Sequence, residues 1–273
     1  MKTHIYFIIR YSAYTRTKGL WQIGKGVSSE DYKAKLFSED RLQLHEKLFF
    51  AVTLPSLAAI SESVEMTALV FISDELPEPY KKSLRQAEDS YEWLEVARAK
   101  SHKALNQQVE QRVQKKLDRV SEETCFATVR LDDDDALAPD FGVKLARYLQ
   151  PAFVGMGLTF PKGVLGVFNG ERYTDFYHHT KSNNAQGLAF IGSTNSSLNQ
   201  GLPVTVLSAG SHVSLDERYP TVNDSRDIMF IRTEHEGSDL IATGRVREKD
   251  KMKALSEDEL SALKTRFSSI RCF

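Results

Sequence analysis

Short unbroken apolar runs alternate with helix-length polar segments through the first half of this chain, and few architectures accept that pattern. Ile5–Ile9, Leu69–Ser73, Tyr91–Val96 and Phe126–Leu131 suit strands buried on both faces. Between them, Leu54–Ile60 opens on Pro55 and Ser56 like the start of a helix, and Pro79–Ala87 reads as helical. In Lys103–Arg119 the apolar residues Leu105, Val109, Val113 and Leu117 recur every four positions, one face of a helix. This β–α–β–α–β order predicts an α/β fold with a mostly parallel central sheet and flanking helices. Right-handed crossovers then bring the functional loops to one side of the sheet.

The fourth run ends in Asp132-Asp133-Asp134-Asp135, ahead of Pro139 and a helical pattern at Phe141, Leu145 and Leu149. Carboxylates crowded at the end of a buried strand raise each other's pKa unless a cation neutralises them. Hard divalent cations take oxygen ligands, and Mg²⁺ is commonly shared between carboxylates and substrate phosphates. The placement argues for a metal–phosphate site, and a solvated acidic loop is the alternative.

Glycine and asparagine punctuate the second half. Strand-like pieces are Val154–Phe160, Val164–Phe168, Val204–Leu207, Ile228–Ile231 and Leu240–Thr243. The longer loops Thr180–Gln186, Gly192–Gly201 and Ser208–Asn223 have the length of binding loops or lids. Ser256 and Glu259 form a capping box before a helix that shares Leu260, Leu263 and Phe267 on one face. With no internal repeat or low-complexity linker, one domain over 1–273 is expected. It divides into 1–140, an irregular half at 141–255, and a terminal helix and tail at 256–273.

Lys and Arg (36) nearly balance Asp and Glu (37), which removes any general attraction to nucleic acid or to an anionic membrane. Two cysteines, Cys125 in an expected core strand and Cys272 near the end, do not suggest a disulfide framework and point to a reducing cytoplasm. The apolar run at Ile5–Ile9 is shorter than the ~7–15 residues of a signal sequence core. No stretch approaches the ~20 apolar residues of a membrane span, so any membrane association would be peripheral, at the inner face.

Arg130-Leu-Asp-Asp-Asp-Asp-Ala-Leu137, after a strand in a nucleotide-binding type of α/β half, resembles the DxD region of GT-A glycosyltransferases. Within that class the chain is similar to a bacterial rhamnosyltransferase family. The matching residues are Arg10-Tyr11-Ser12, Leu54-Pro55-Ser56-Leu57 and Leu76-Pro77-Glu78-Pro79-Tyr80, with a weaker match at Ser208-Ala-Gly-Ser-His212. The resemblance implies a GT-A-like fold with an acceptor-binding second half, a nucleotide-sugar donor (UDP-, dTDP- or GDP-linked) and a glycan or glycoconjugate acceptor. It implies Mn²⁺ or Mg²⁺ as cofactor. Asp132 and Asp134 take the DxD positions. Arg10, Asp74, Arg130, Asp132 and Asp133 are then expected around the donor, and Asp134, Asp135 and His212 around the metal.

Some residues keep two readings. His212 is either a late-loop metal ligand or a structural histidine, and Asp74 either contacts the nucleotide or caps a turn. His178 and His179 are adjacent in a strand-like segment and so face opposite ways. Asp216, close to His212, is the first candidate for an acceptor base and Asp175 the second. The expected function is metal-dependent sugar transfer to a hydroxyl, in surface polysaccharide or glycoconjugate assembly. A nucleotidyltransferase and a non-catalytic metal- or nucleotide-binding module are the alternatives.

Overall fold

The computed structural model describes residues 1–14, 28–236 and 252–273. The four expected strands are β1 (Lys2–Tyr11), β2 (Met66–Ser73), β3 (Leu94–Ala99) and β4 (Thr124–Asp132). They lie side by side in the order β3-β2-β1-β4, all parallel. β3 starts later than its apolar run suggests, because the Tyr91 N–H closes the preceding helix on Ala87.

The helices are α1 (Ser29–Leu36), α2 (Glu39–Leu48), α3 (Leu54–Ser61), α4 (Glu78–Ser90), α5 (Leu105–Leu117), α6 (Phe141–Ala146) and α7 (Glu257–Arg266). A five-residue π-helical stretch, Phe49–Thr53, joins α2 to α3, with the Leu54 N–H bonded to the Phe49 carbonyl. On one face of the sheet α5 packs Leu105, Val109, Val113 and Leu117 against Tyr6, Ile8, Leu69 and Phe71. On the other, Phe7, Ile9, Val70 and Leu131 meet Leu48, Phe49, Val52 and Leu57. Truncating a side chain buried as fully as Phe7 costs about 3–5 kcal/mol.

Beyond β4 the chain adds β5 (Ala136–Leu137), β6 (Gly157–Thr159), β7 (Lys162–Phe168), β8 (Tyr173–Thr180), β9 (Ala189–Ser193), β10 (Thr221–Asn223) and β11 (Phe230–Glu234). β9 runs antiparallel to β4 and is followed outward by β6 and β10. A second sheet has the order β5-β11-β7-β8. The α/β class and the mostly parallel, helix-flanked sheet are as expected.

The second half differs from the sequence reading in several segments. Val204–Leu207 is a turn rather than a strand. Val206 and Leu207 are buried all the same, and the Val206 N–H donates to Thr128 Oγ1 at 2.8 Å instead of joining a ladder. Val154–Phe160 shrinks to β6, because Gly155 turns the chain with φ +85. Tyr173–Thr180 and Ala189–Ser193 are strands that the sequence reading lacked, and the strand expected at Leu240–Thr243 lies outside the described residues. The capping box on α7 forms as expected. Cys125 and Cys272 are free and buried. No helix among the described residues is long and apolar enough to cross a membrane.

One junction places the site. β4 ends at Asp132, the next three acids make a turn, and β5 then enters the second sheet. There it pairs with β11 through Leu137–Phe230 and Ala136–Ile231. The acidic loop is thus the crossing between the two sheets.

Candidate functional site

Parallel pairing sets Arg10 at the end of β1 opposite Asp132 at the end of β4. The Arg10 Nη2 donates to Asp132 Oδ1 at 2.7 Å. Arg130, two residues back and on the same face of the strand, donates its Nη2 to Asp132 Oδ2 at 3.2 Å. Burial alone would raise the Asp132 pKa. The two guanidiniums outweigh it and hold the carboxyl well below the usual carboxylate range.

Asp133 and Asp134 meet two histidines. Asp133 is 3% exposed, and its Oδ1 accepts from His45 Nδ1 at 3.0 Å. A carboxylate only accepts, so the proton in this contact sits on Nδ1, which leaves Nε2 as the nitrogen whose lone pair a cation can take. That Nε2 is buried and has no hydrogen-bond partner. Asp134 Oδ2 lies 3.0 Å from His235 Nε2. Burial pushes the Asp134 pKa up, but the hydrogen bond from His235 and the charges of His235 and His45 bring it below its ordinary value. The rings of His45 and His235 meet edge to face, with centroids 5.3 Å apart.

One ligand atom from each of His45, Asp134 and His235 lies within 4.8 Å of the others. A divalent cation fits this group. The donor set is two imidazoles and a carboxylate, and a buried lone pair on His45 Nε2 is otherwise orphaned. The Asp133–His45 contact repeats the carboxylate–histidine arrangement that fixes ring tautomer and orientation at metal sites.

Asp135 serves the fold. Its Oδ1 accepts from the Thr233 N–H at 2.8 Å and its Oδ2 from Gln186 Nε2 at 2.7 Å. Its pKa is pushed well up by burial and by Asp134 and Asp132, against those two hydrogen bonds. Its carbonyl accepts from Thr53 Oγ1 at 2.9 Å. The long helical run from α2 to α3 therefore brings His45 and Thr53 to the loop, and β11 brings Thr233 and His235.

The other expected residues are more scattered. His212, in a 3-10 turn at His212–Ser214, sits with Nδ1 3.0 Å from Arg130 Nη1, outside the His45–Asp134–His235 group. Asp74 is exposed at the end of β2, and its carbonyl accepts from Lys81 Nζ at 2.8 Å. Asp216 is exposed, four residues beyond His212. Asp175 is exposed on the edge strand β8 and accepts from Thr174 Oγ1 at 2.8 Å. His178 stands 3.3 Å from Glu259, whereas His179 is buried beside the Phe230 ring. The two ligand candidates that sequence reasoning missed are His45 and His235. No spacing marks either one.

A family model described as "Putative rhamnosyl transferase" matches residues 4–245. The chain belongs to that family. The matched span of this rhamnosyl transferase family contains His45, the acidic loop and His235. No curated protein sequence matches the chain.

Among solved structures the chain is similar to S. aureus TarS 1–349, with 11% identity over 85% of this chain and 60% of that one, at a TM-score of 0.38. A "putative nucleotide-diphospho-sugar transferase" from Desulfovibrio desulfuricans G20 shares 10% identity over 99% and 98% of the two chains, at 0.33. GalNAc-T7, solved with UDP, GalNAc and Mn²⁺, shares 11% identity over 87% of this chain and 44% of its own, at 0.42. The chain thus spans less than two thirds of the TarS and GalNAc-T7 chains.

Proposed function

We propose that this chain transfers a sugar, rhamnose or a related hexose, from a UDP-, dTDP- or GDP-linked donor to a hydroxyl of a glycan or glycoconjugate acceptor. The observation that carries the reading is the His45–Asp134–His235 group at the carboxyl end of β4 in a chain of the rhamnosyl transferase family. We place the work in the cytoplasm, in surface polysaccharide assembly, and read 1–273 as one transferase domain. In support, β5 of the donor half is paired with β11 of the acceptor half.

His45, Asp134 and His235 would hold a divalent cation. Two imidazole nitrogens beside one carboxylate favour Mn²⁺ over Mg²⁺, which prefers an oxygen shell. When bound, the ion supplies positive charge against the diphosphate that departs. Asp133 holds the His45 ring with its lone pair free. Arg10 and Arg130 keep Asp132 ionised and fix its carboxylate at the strand end, where the nucleotide docks. Asp135, with Thr233 and Gln186, holds the loop to β11 so that Asp134 and His235 stay together. For the acceptor proton, Asp216 is the residue we retain, because it shares a segment with His212. Asp175 projects from the far edge of the second sheet.

Thermal shift with UDP, GDP, CDP and dTDP, each with and without Mn²⁺, tests the reading. A panel of nucleotide sugars scored for donor hydrolysis follows. Metal-dependent stabilisation by at least one nucleotide, with slow hydrolysis of the matching sugar donor, is expected. Stabilisation by Mn²⁺ that no nucleotide adds to would overturn it in favour of a metal-binding module.

A further inference from the structure

Arg130 determines which nitrogen of His212 carries the proton. Its Nη1 lies 3.0 Å from His212 Nδ1, and a guanidinium has five donors and no acceptor. Nδ1 must therefore accept. A neutral imidazole has one proton and one lone pair, so the proton is on Nε2. The ring is neutral: burial and the Arg130 charge push its pKa down to about 4, against the opposing pull of Asp132. Arg10 and Lys181 press in the same direction as Arg130.

A ring in this state has no lone pair left for a cation. What it offers is an N–H. The ring is half-buried, and among the described residues its Nε2 makes no hydrogen bond. Around it stand Arg130, Arg10 and Lys181, so that side of the acidic loop presents hydrogen-bond donors and positive charge. His212 is not one of the His45–Asp134–His235 group.

The segment that carries the ring is braced. Arg218 donates from Nε to the Ala209 carbonyl at 3.0 Å, from Nη2 to the Ser211 carbonyl at 2.7 Å and from Nη1 to Ser214 Oγ at 3.0 Å. Leu215 is fully buried just behind. A ring held by its own segment and by a strand-borne arginine loses little freedom when a ligand arrives, which favours binding.

We infer that His212 is a donor-binding residue whose Nε2–H donates a hydrogen bond to an anionic oxygen of the nucleotide's diphosphate, beside the Arg130 guanidinium. The assignment rests on the nucleotide-sugar reading above and gives that site a second, metal-free half.

Histidine-labelled protein and long-range ¹H–¹⁵N spectra read the tautomer directly, without nucleotide. Between about pH 6 and 8, where an ordinary histidine titrates, His212 should show a protonated Nε2 and a bare Nδ1. A proton on Nδ1, or a cationic ring, overturns the inference.

Calorimetry with UDP, dTDP and GDP in the presence of Mn²⁺, and with Mn²⁺ alone, supplies the second readout. His212→Ala should weaken the best nucleoside diphosphate by about 10-fold or more, the scale of a hydrogen bond to a charged group. His212→Gln, which places an amide N–H near the same point, should recover most of the loss. Mn²⁺ alone should bind both variants as it binds the parent. If Mn²⁺ affinity falls in both, His212 is a ligand and the inference fails while the transferase reading stands. If nucleotide affinity is unchanged in His212→Ala, the donor role fails alone. If no nucleoside diphosphate binds the parent protein, the transferase reading falls with it.

Discussion

Replacing Asp133 with Asn isolates what a carboxylate contributes to a histidine ligand. The two side chains have nearly the same shape, and the Asn carbonyl oxygen can still accept from His45 Nδ1, at present 3.0 Å from Asp133 Oδ1. The amide NH₂ would take the place of Oδ2, which is buried and has no hydrogen-bond partner. What disappears is the charge. A hydrogen bond to a charged group contributes about 1.5–3 kcal/mol and a neutral one about 0.5–1.5 kcal/mol. The difference, roughly 1–1.5 kcal/mol, corresponds to about 10-fold in affinity at ~1.4 kcal/mol per decade. Variants of such supporting carboxylates lose 10–100-fold, so about 10-fold is the lower end to expect. Stability without metal should change by no more than ~1 kcal/mol, since removing a buried charge offsets the weaker hydrogen bond and the unpaired amide N–H. Calorimetric titration with Mn²⁺, beside urea unfolding of the metal-free protein, measures both. Unchanged Mn²⁺ affinity would refute the reasoning, because His45 would then not bind through the ring that Asp133 orients. Affinity and stability falling together would show that Asp133 acts only on the fold.

Three further outcomes are expected. Asp134→Asn should abolish Mn²⁺-dependent nucleotide binding in the thermal-shift assay, because the amide cannot carry the charge that the ion requires. The Asp224 carboxyl is held down to about 2, chiefly by its hydrogen bond with Arg226. A depressed carboxyl stabilises the fold above its unfolded value of ~3.9 and loses that contribution as pH falls toward the folded value. Asp224→Asn should therefore cost of order 1 kcal/mol near neutral pH, a figure kept small because the Arg226 partner is largely exposed, and the gap to the parent should close on acid titration toward about pH 2. An Asn variant as stable as the parent at neutral pH would show that the pair contributes nothing. Gly210 has φ +100, where a side chain is strained, and it packs under the Arg218 guanidinium. Gly210→Ala should destabilise the His212 segment by about 1 kcal/mol, visible as faster hydrogen exchange across Ser208–Asn223, with Mn²⁺ affinity unchanged.

The parallel half of the fold was legible because fully buried strands leave continuous apolar runs, and because Leu105, Val109, Val113 and Leu117 keep one helical period. The acidic end of β4 was legible for the same reason: four acids follow the apolar run Phe126–Leu131, in which Arg130 is the one charge. Val204–Leu207 misled because burial alone makes a short apolar run, and a turn anchored on Thr128 Oγ1 buries Val206 as well as a ladder would. β8 was missed because Tyr173 and Phe176 are buried at a spacing of three rather than two, beside an irregular register with β7 at Phe168. His45 and His235 were beyond reach for another reason. They lie 88 and 101 residues from the aspartates they meet, and only the crossing of β4 into the second sheet brings them together.

The π-helical stretch between α2 and α3 gives the helix that carries His45 an uneven tolerance for changes in length. His45 and Thr53 both touch the acidic loop, though they stand eight positions apart. On a uniform α-helix, at about 100° per residue, eight steps would leave them about 80° out of phase. The surplus residue taken up between Phe49 and Leu54 removes one step and leaves them within about 20°. Losing one residue from this stretch would relax it to plain α-helix with both side chains still facing the loop. Gaining one would need a second wide turn, or else would swing His45 away from Asp134 and His235. Shortened relatives could therefore keep the same metal group, and lengthened ones would have to find another nitrogen.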